Sequence, residues 1–448
     1  MLSAFNFAVA SGFAALIALL ALLDQVGMVN QQAASIALSS GALLIVAANW
    51  QAHRGGRNAS FIFLILGFVF LCGRAFPALL GSPSELAIVS FGNVFEIAPD
   101  HVMTYIILVL TSFLCIHVGS LLKSADVPSI DIVENRALIY KWIFILLLPA
   151  LLYKNIYYFN YISNNGGYLA IYRGTEHLEG VGFLARFGSL LCLATFTLYF
   201  FHETDKKKSA RSLIFFLILF STELLIGLRG KFFVTALMFF LFYKLRFGGK
   251  FSMRGLITIM LVIVSLAITV EVTREQKSES LIDGSSLLTG FISQQGVSSA
   301  VTMVVLENKP YFDQGAWQYF WHQFGVPFYS QPEVPRGWYV ANDISMIIMP
   351  EAYALGFGTG SSYLAELLML GGVAGIIVGS LIIGGFLSKA SQCTQGIKGS
   401  LMFWIVSGVV YYPRTMLQDP VHNMLRYVIP IILVAGLCFI IRQVLKLR

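Results

Sequence analysis

Runs of about 20 apolar residues, separated by short polar loops, recur along almost the whole chain of 448 residues. A run of that length crosses a hydrocarbon core as a helix, and a helix satisfies its own backbone polar groups there. The runs fall near 4–24, 32–51, 59–80, 103–123, 138–157, 181–201, 212–228, 231–244, 255–272, 361–388, 400–412 and 424–441. Only 12% of the residues are charged and 57% are hydrophobic, against about 25% charged in a soluble domain. The expected fold is therefore all-α: a polytopic transmembrane helix bundle of about 12 spans. Residues 1–272 carry spans one to nine, 273–360 form a large loop between spans nine and ten, and 361–448 carry spans ten to twelve. The first run lacks a positive flank and a following soluble domain, so it reads as an uncleaved helix.

Charge orients the bundle. With the N-terminus inside, the cytoplasmic loops hold Arg54 and Arg57, then Lys123, Arg136 and Lys141, then Lys206, Lys207, Lys208 and Arg211, with further Lys and Arg at 244–254, 389–398 and 442–448. The outer loops at 25–31 and 81–102 hold no Lys or Arg, and the second carries Glu85, Glu96 and Asp100. This is the positive-inside pattern. The formal net charge of +7 is spread over short loops and forms no stripe, which speaks for headgroup contact and topology rather than nucleic acid. The five cysteines include no CxxC and none falls in an outer loop, so no structural disulfide or cysteine metal site is expected.

Against that bias, Arg229, Arg274, Arg336 and Arg414 fall on the outer side, with Lys231 beside the first of them. Cations near the hydrocarbon edge cost free energy unless paired. Each has an ordinary explanation: a salt bridge to Glu271 for Arg274, solvent for Arg336, an ion pair with Asp419 for Arg414. Arg229, expected at the tip of a tight hairpin, has the weakest one. Guanidinium offers paired donors matched to phosphate oxygens and keeps its charge. Together the four point to an anionic partner, a lipid-linked diphosphate, whose growing negative charge they would stabilise as a sugar–phosphate bond breaks.

The outer stretch 273–360 has two further features. In 287–306, Gln295, Ser298, Ser299 and Thr302 share one helical face, so a helix lying along the membrane surface with that face toward water is expected. The segment 310–340 is rich in Trp, Tyr, Phe and Pro; Trp317, Trp321 and Trp338 suit either the membrane interface or stacking on sugar rings. A Gly-rich segment, 356–362, then leads into span ten.

No Walker-type loop, HExxH or nucleotide-sugar D-x-D motif occurs, and the seven His are scattered singly. Neither a metal nor a cofactor is expected. An acceptor hydroxyl needs a base; His322, Asp343, Glu351, Glu366, Asp419 and His422 are the outer candidates, and Glu223 and Glu366 lie inside apolar runs, where ionisable residues are functional candidates. For Glu223 a structural partner inside the bundle is equally good.

The hairpin IGLRGKF (226–232), the loop ending LGFGTGSSYLAELLMLGGVAGIIVG (355–379) and the late turn YYPRTMLQD (411–419) resemble the O-antigen, or oligosaccharide repeat-unit, polymerases of the Wzy type. The resemblance implies a fold similar to lipid-sugar glycosyltransferases and O-antigen ligases. It implies a multi-pass inner-membrane glycosyltransferase that acts on the periplasmic face. Its partners would be undecaprenyl-diphosphate-linked oligosaccharides and membrane lipids, with a chain-length regulator and a flippase of the same pathway. By position Arg229 and Arg414 match the family's arginines, and Arg274 and Arg336 match less closely. The ligase relatives place a His just before the segment equivalent to 356–362; here that stretch reads MPEAYALG, and the nearest upstream His is His322. The expected roles are diphosphate binding by the four arginines, proton acceptance by Asp343, Glu351 or His322, and sugar contact by the three tryptophans. The alternatives are an O-antigen ligase or a lipid-oligosaccharide flippase.

Overall fold

The structure, a computed structural model, describes residues 12–14, 17, 30–90, 94–122, 135–165, 180–226, 229–248, 290, 292–313, 315–322, 324, 335–354 and 358–446. Its described residues form helices joined by turns, and their only strands make a short antiparallel ribbon, Ile88–Ser90 with Val94–Glu96. The chain folds as two compact units: residues 1–124, 250–388 and 409–418 form the first, and 125–249, 389–408 and 419–448 the second.

The first unit holds α1 (Gln31–Ala52), α2 (Ala59–Cys72) and α3 (Pro99–Leu121). Local chemistry sets their starts. Asn30 and Asn58 cap α1 and α2 by accepting the Ala33 and Ser60 N–H groups at 2.7 and 2.9 Å, and Pro99 occupies the first turn of α3. The long helix Tyr363–Ala390 crosses α3 closely: glycines at 119 and 384 remove the Cβ atoms that would meet the other helix's backbone. Ser112 joins them by hydroxyl contacts of 2.7 Å to both Tyr363 and Ser380. That helix breaks at Gly371–Gly372, where Gly372 has φ +57°.

The second unit holds α4 (Asn135–Asn164), α5 (Phe183–His202), α6 (Lys206–Phe220) and α7 (Arg229–Phe247), with helices at Gly396–Val409 and Ile429–Lys446. Its core is aromatic. Phe196 stacks on Phe216 at 3.9 Å, Phe239 lies 4.2 Å from Phe403, and Trp404 stacks on Tyr427 at 3.8 Å.

Among the described residues, five helices are long and apolar enough to cross a membrane: Gln31–Ala52, Pro99–Leu121, Ala137–Asn164, Phe183–His202 and Tyr363–Ala390. Within the described residues the other expected runs are also helical but differ in length. α2 continues as a 3-10 turn at Phe76–Leu80, started by Pro77; α6 has 15 residues, and Gly396–Val409 has 14. The first four of α6's 15 include Lys206, Lys207 and Lys208, so its apolar part is shorter still. The expected span 255–272 and most of 4–24 lie outside the described residues.

One expectation is corrected. The helix α8 (Ser298–Glu307) packs on α2 and α3, and Ser298, Ser299 and Thr302 are buried rather than turned to water. The reason is close packing, and at Ser299 the hydroxyl needs no solvent. Ser299 donates to the Gly296 carbonyl at 2.7 Å within its own turn, and small residues let the helix approach its neighbours. Gln295, one turn earlier, is partly exposed and has a different role.

Candidate active site

The first unit gathers several expected site residues. At the end of α2, Gly73 and Gly296 let two backbones touch: a Cβ on Gly296 would lie 2.9 Å from the Gly73 carbonyl carbon. This seats Gln295 near the α2 terminus. Its Oε1 accepts Arg414 Nη1–H at 3.0 Å, and the guanidinium lies 5.3 Å from the Phe70 ring centre. Arg414 ends a 3-10 turn, Tyr412–Arg414, begun by Pro413. The anticipated pairing with Asp419 is replaced by this amide contact, and among the described residues Arg414 forms no ion pair. It is half-buried, and one of its five N–H donors is used by Gln295.

Glu366 fastens the Gly-rich segment to this arginine turn. It lies in the first turn of Tyr363–Ala390, buried, and accepts the Ser361 hydroxyl at 2.5 Å and the Leu417 N–H at 3.0 Å. Gly360, at φ +76°, passes the Arg414 carbonyl so closely that a Cβ would meet it at 3.3 Å. The Glu366 carboxylate thus positions a turn. Arg74, near the end of α2, has no role in the sequence reading; it is buried with the Glu85 carboxylate as its electrostatic partner, and Glu85 accepts the Ser293 hydroxyl. A cation inside an apolar run was the signal available for it.

Asp343 organises the aromatic segment. It opens α10 (Val340–Ile348), after α9 (Ala316–His322), and is 2% exposed. Its Oδ2 accepts from the Gly337 N–H at 2.8 Å, from Tyr311 at 3.5 Å and from Tyr319. Burial, then the Asp343 carboxylate, pushes the Tyr319 phenol well above its ordinary range; the same causes raise Tyr311, so both remain donors. The turn held this way carries Arg336, exposed, and Trp338, whose ring lies 4.7 Å from His322. His322 Nδ1 is buried with no hydrogen-bond partner among the described residues. Gln418 donates to the Phe320 carbonyl at 2.8 Å, tying α9 to the arginine turn. Trp317 and Trp321 are 61% and 63% exposed. Glu351 is exposed on the turn Pro350–Ala354.

The second unit has its own charged cluster. Glu223 is wholly buried and accepts from Lys154 Nζ at 2.8 Å and Lys231 Nζ at 3.3 Å. Arg426 lies within electrostatic reach of Lys154. Lys231, expected beside Arg229 on the outer side, is one of the three members of this triad. Arg229 is the first residue of α7, two positions before Lys231. Arg274 lies outside the described residues.

A family model of O-antigen polysaccharide polymerase Wzy matches residues 11–447, nearly the whole chain. The chain belongs to that family. No curated protein and no solved structure matches it. Wzy polymerases act on lipid-linked oligosaccharide repeat units in membranes, and the reaction is of the glycosyltransferase type. The apolar helices make this Wzy protein a multi-pass membrane protein. For such an enzyme the grouping in the first unit is informative: an arginine without a carboxylate partner among the described residues, a backbone-rich glycine segment and an aromatic shelf lie on connected turns.

Proposed function

We propose that this Wzy polymerase moves the growing glycan from undecaprenyl diphosphate onto the non-reducing end of a new undecaprenyl-diphosphate-linked repeat unit, on the periplasmic face of the inner membrane and without metal. The acceptor hydroxyl attacks the anomeric carbon, the sugar–phosphate bond breaks, and undecaprenyl diphosphate leaves with the bonding electron pair. The acceptor proton passes to a side-chain base. Arg229, Arg274, Arg336 and Arg414 hold diphosphate, and Trp317, Trp321 and Trp338 contact sugar. The observation that carries this reading is Arg414, half-buried and held by an amide and a ring with no ion pair among the described residues. Such a cation is stabilised by an anionic substrate.

Among the base candidates, His322 is best placed. Three donors already crowd Asp343 Oδ2, leaving that oxygen little room for a sugar hydroxyl, and Glu351 stands exposed. His322→Gln is expected to lower turnover roughly 100-fold or more, the scale of losing a general base. Glu351→Gln should stay within about 2-fold of the wild-type rate. A wild-type rate in a well-folded His322→Gln protein would remove it from the role.

The reading is tested with purified protein, one lipid-linked repeat unit and no other acceptor. A ladder of products that persists with chelator is expected. No product fits a ligase or a flippase and overturns the reading. Arg229→Lys should slow the ladder roughly 10-fold, because ammonium keeps the charge but loses the two-pronged donor geometry. A wild-type rate would take Arg229 out of the site.

A further inference from the structure

The start of α4, the end of α5 and the start of α6 enclose a cleft of about 750 Å³ that the polymerase reading does not use. One part of its lining is apolar and open: Leu138, Ile145 and Phe215 are 59%, 41% and 49% exposed. Another part carries Lys141, Lys208 and Arg211, all exposed. Among the described residues none of these three cations forms an ion pair.

The acids in the lining also do backbone work, and Asp205 lies within electrostatic reach of Lys208. Asp205 caps α6, accepting the Lys207 and Lys208 N–H groups at 2.7 and 3.1 Å. Glu203 accepts the Asp205 N–H at 3.0 Å and the Tyr199 hydroxyl at 3.3 Å. The positive end of α6 adds to the local field. The cleft therefore joins an excess of positive charge, three cations against Glu203 and Asp205, to exposed apolar surface, at the polar start of a helix whose later residues are apolar.

We infer that this cleft binds an anionic bilayer phospholipid, its phosphate on Lys141, Lys208 and Arg211 and an acyl chain along Leu138, Ile145 and Phe215. The volume suits a headgroup and the upper part of a chain. A zwitterionic lipid brings its own cation toward three others and is disfavoured. Basic pockets between membrane helices hold acidic headgroups by this combination of charge and apolar wall.

The test uses the full chain in nanodiscs of equimolar phosphatidylglycerol and phosphatidylcholine, with retained lipid read by native mass spectrometry. Wild-type protein should retain phosphatidylglycerol selectively. In Lys141→Gln/Lys208→Gln/Arg211→Gln that retention should fall roughly 10-fold or more, with phosphatidylcholine unchanged. Lys208→Gln alone, at an exposed helix start, should give a smaller fall in the same direction. Arg54→Gln/Lys389→Gln/Lys398→Gln removes the same charge elsewhere and should retain the lipid. An equal loss in that control means general electrostatics and overturns the proposal. So does displacement of phosphatidylglycerol by an equimolar amount of undecaprenyl phosphate, which would make the cleft a carrier-lipid site.

Discussion

Arg414→Ala is expected to lower the turnover of lipid-linked repeat units by roughly 100- to 1000-fold, the scale of losing one donor aimed at developing charge. The guanidinium is held on two sides, by Gln295 at 3.0 Å and by the Phe70 face at 5.3 Å, on a turn stiffened by Pro413. It is therefore aimed before substrate arrives, and preorganisation makes it effective as the diphosphate gains charge. The loss should appear in kcat more than in KM, because the charge to be stabilised grows toward the transition state. Folding should change little, since the truncation leaves one amide acceptor, part-exposed, to find water. Gln295→Ala should reduce turnover less, by roughly 10-fold, because it acts only by aiming Arg414. The double variant should be no slower than Arg414→Ala alone, as two residues serving one contact are not additive. Wild-type turnover in a well-folded Arg414→Ala protein, or additive losses in the double variant, would separate this arginine from the chemistry.

What was legible in the sequence is what local pattern encodes. Hydropathy located α1, α3, α4, α5 and the helix Tyr363–Ala390, because a membrane-length apolar run has few other ways to satisfy its backbone. The late arginine turn was visible for a similar reason: Pro413 and a cation beside an apolar run are local signals. The pairing of groups distant in sequence was not visible. Arg414 meets Gln295 across 119 positions, and Lys154 meets Glu223 across 69. Periodicity even misdirected the reading at Ser298 and Thr302, since it counts hydroxyls as solvent-seeking when small side chains can pack between helices instead. Asp343 is one of three base candidates in the sequence, but only the fold reveals the Tyr311, Tyr319 and Gly337 donors that make it an organiser of the segment carrying Arg336 and Trp338.

Glu223→Ala should destabilise the protein by about 3–5 kcal/mol, the scale for removing one partner of a buried charge pair. The carboxylate is wholly buried, and the Lys154 side chain is only 11% exposed. Truncation would leave that ammonium without its neutralising partner, with Lys231 and Arg426 still within electrostatic reach. Glu223→Gln should cost less, because the amide oxygen still accepts a hydrogen bond though the charge is gone. The decisive variant is Glu223→Gln/Lys154→Met. It removes both buried charges and fills the stem volume of the lysine with an apolar chain, so it should recover most of the lost stability. Lys231, 25% exposed, can then turn to water. Unfolding midpoints of the purified variants in one detergent measure this order. A midpoint for Glu223→Ala equal to wild type would mean that the triad adds nothing to the fold. A double variant as unstable as Glu223→Ala would show that the loss does not come from stranding Lys154. Polymer synthesis measured beside the midpoints separates two further roles. If the double variant regains its fold but makes no polymer, the Lys154–Glu223 pair itself serves the substrate as well as the fold, because the cluster's net charge is the same in both proteins.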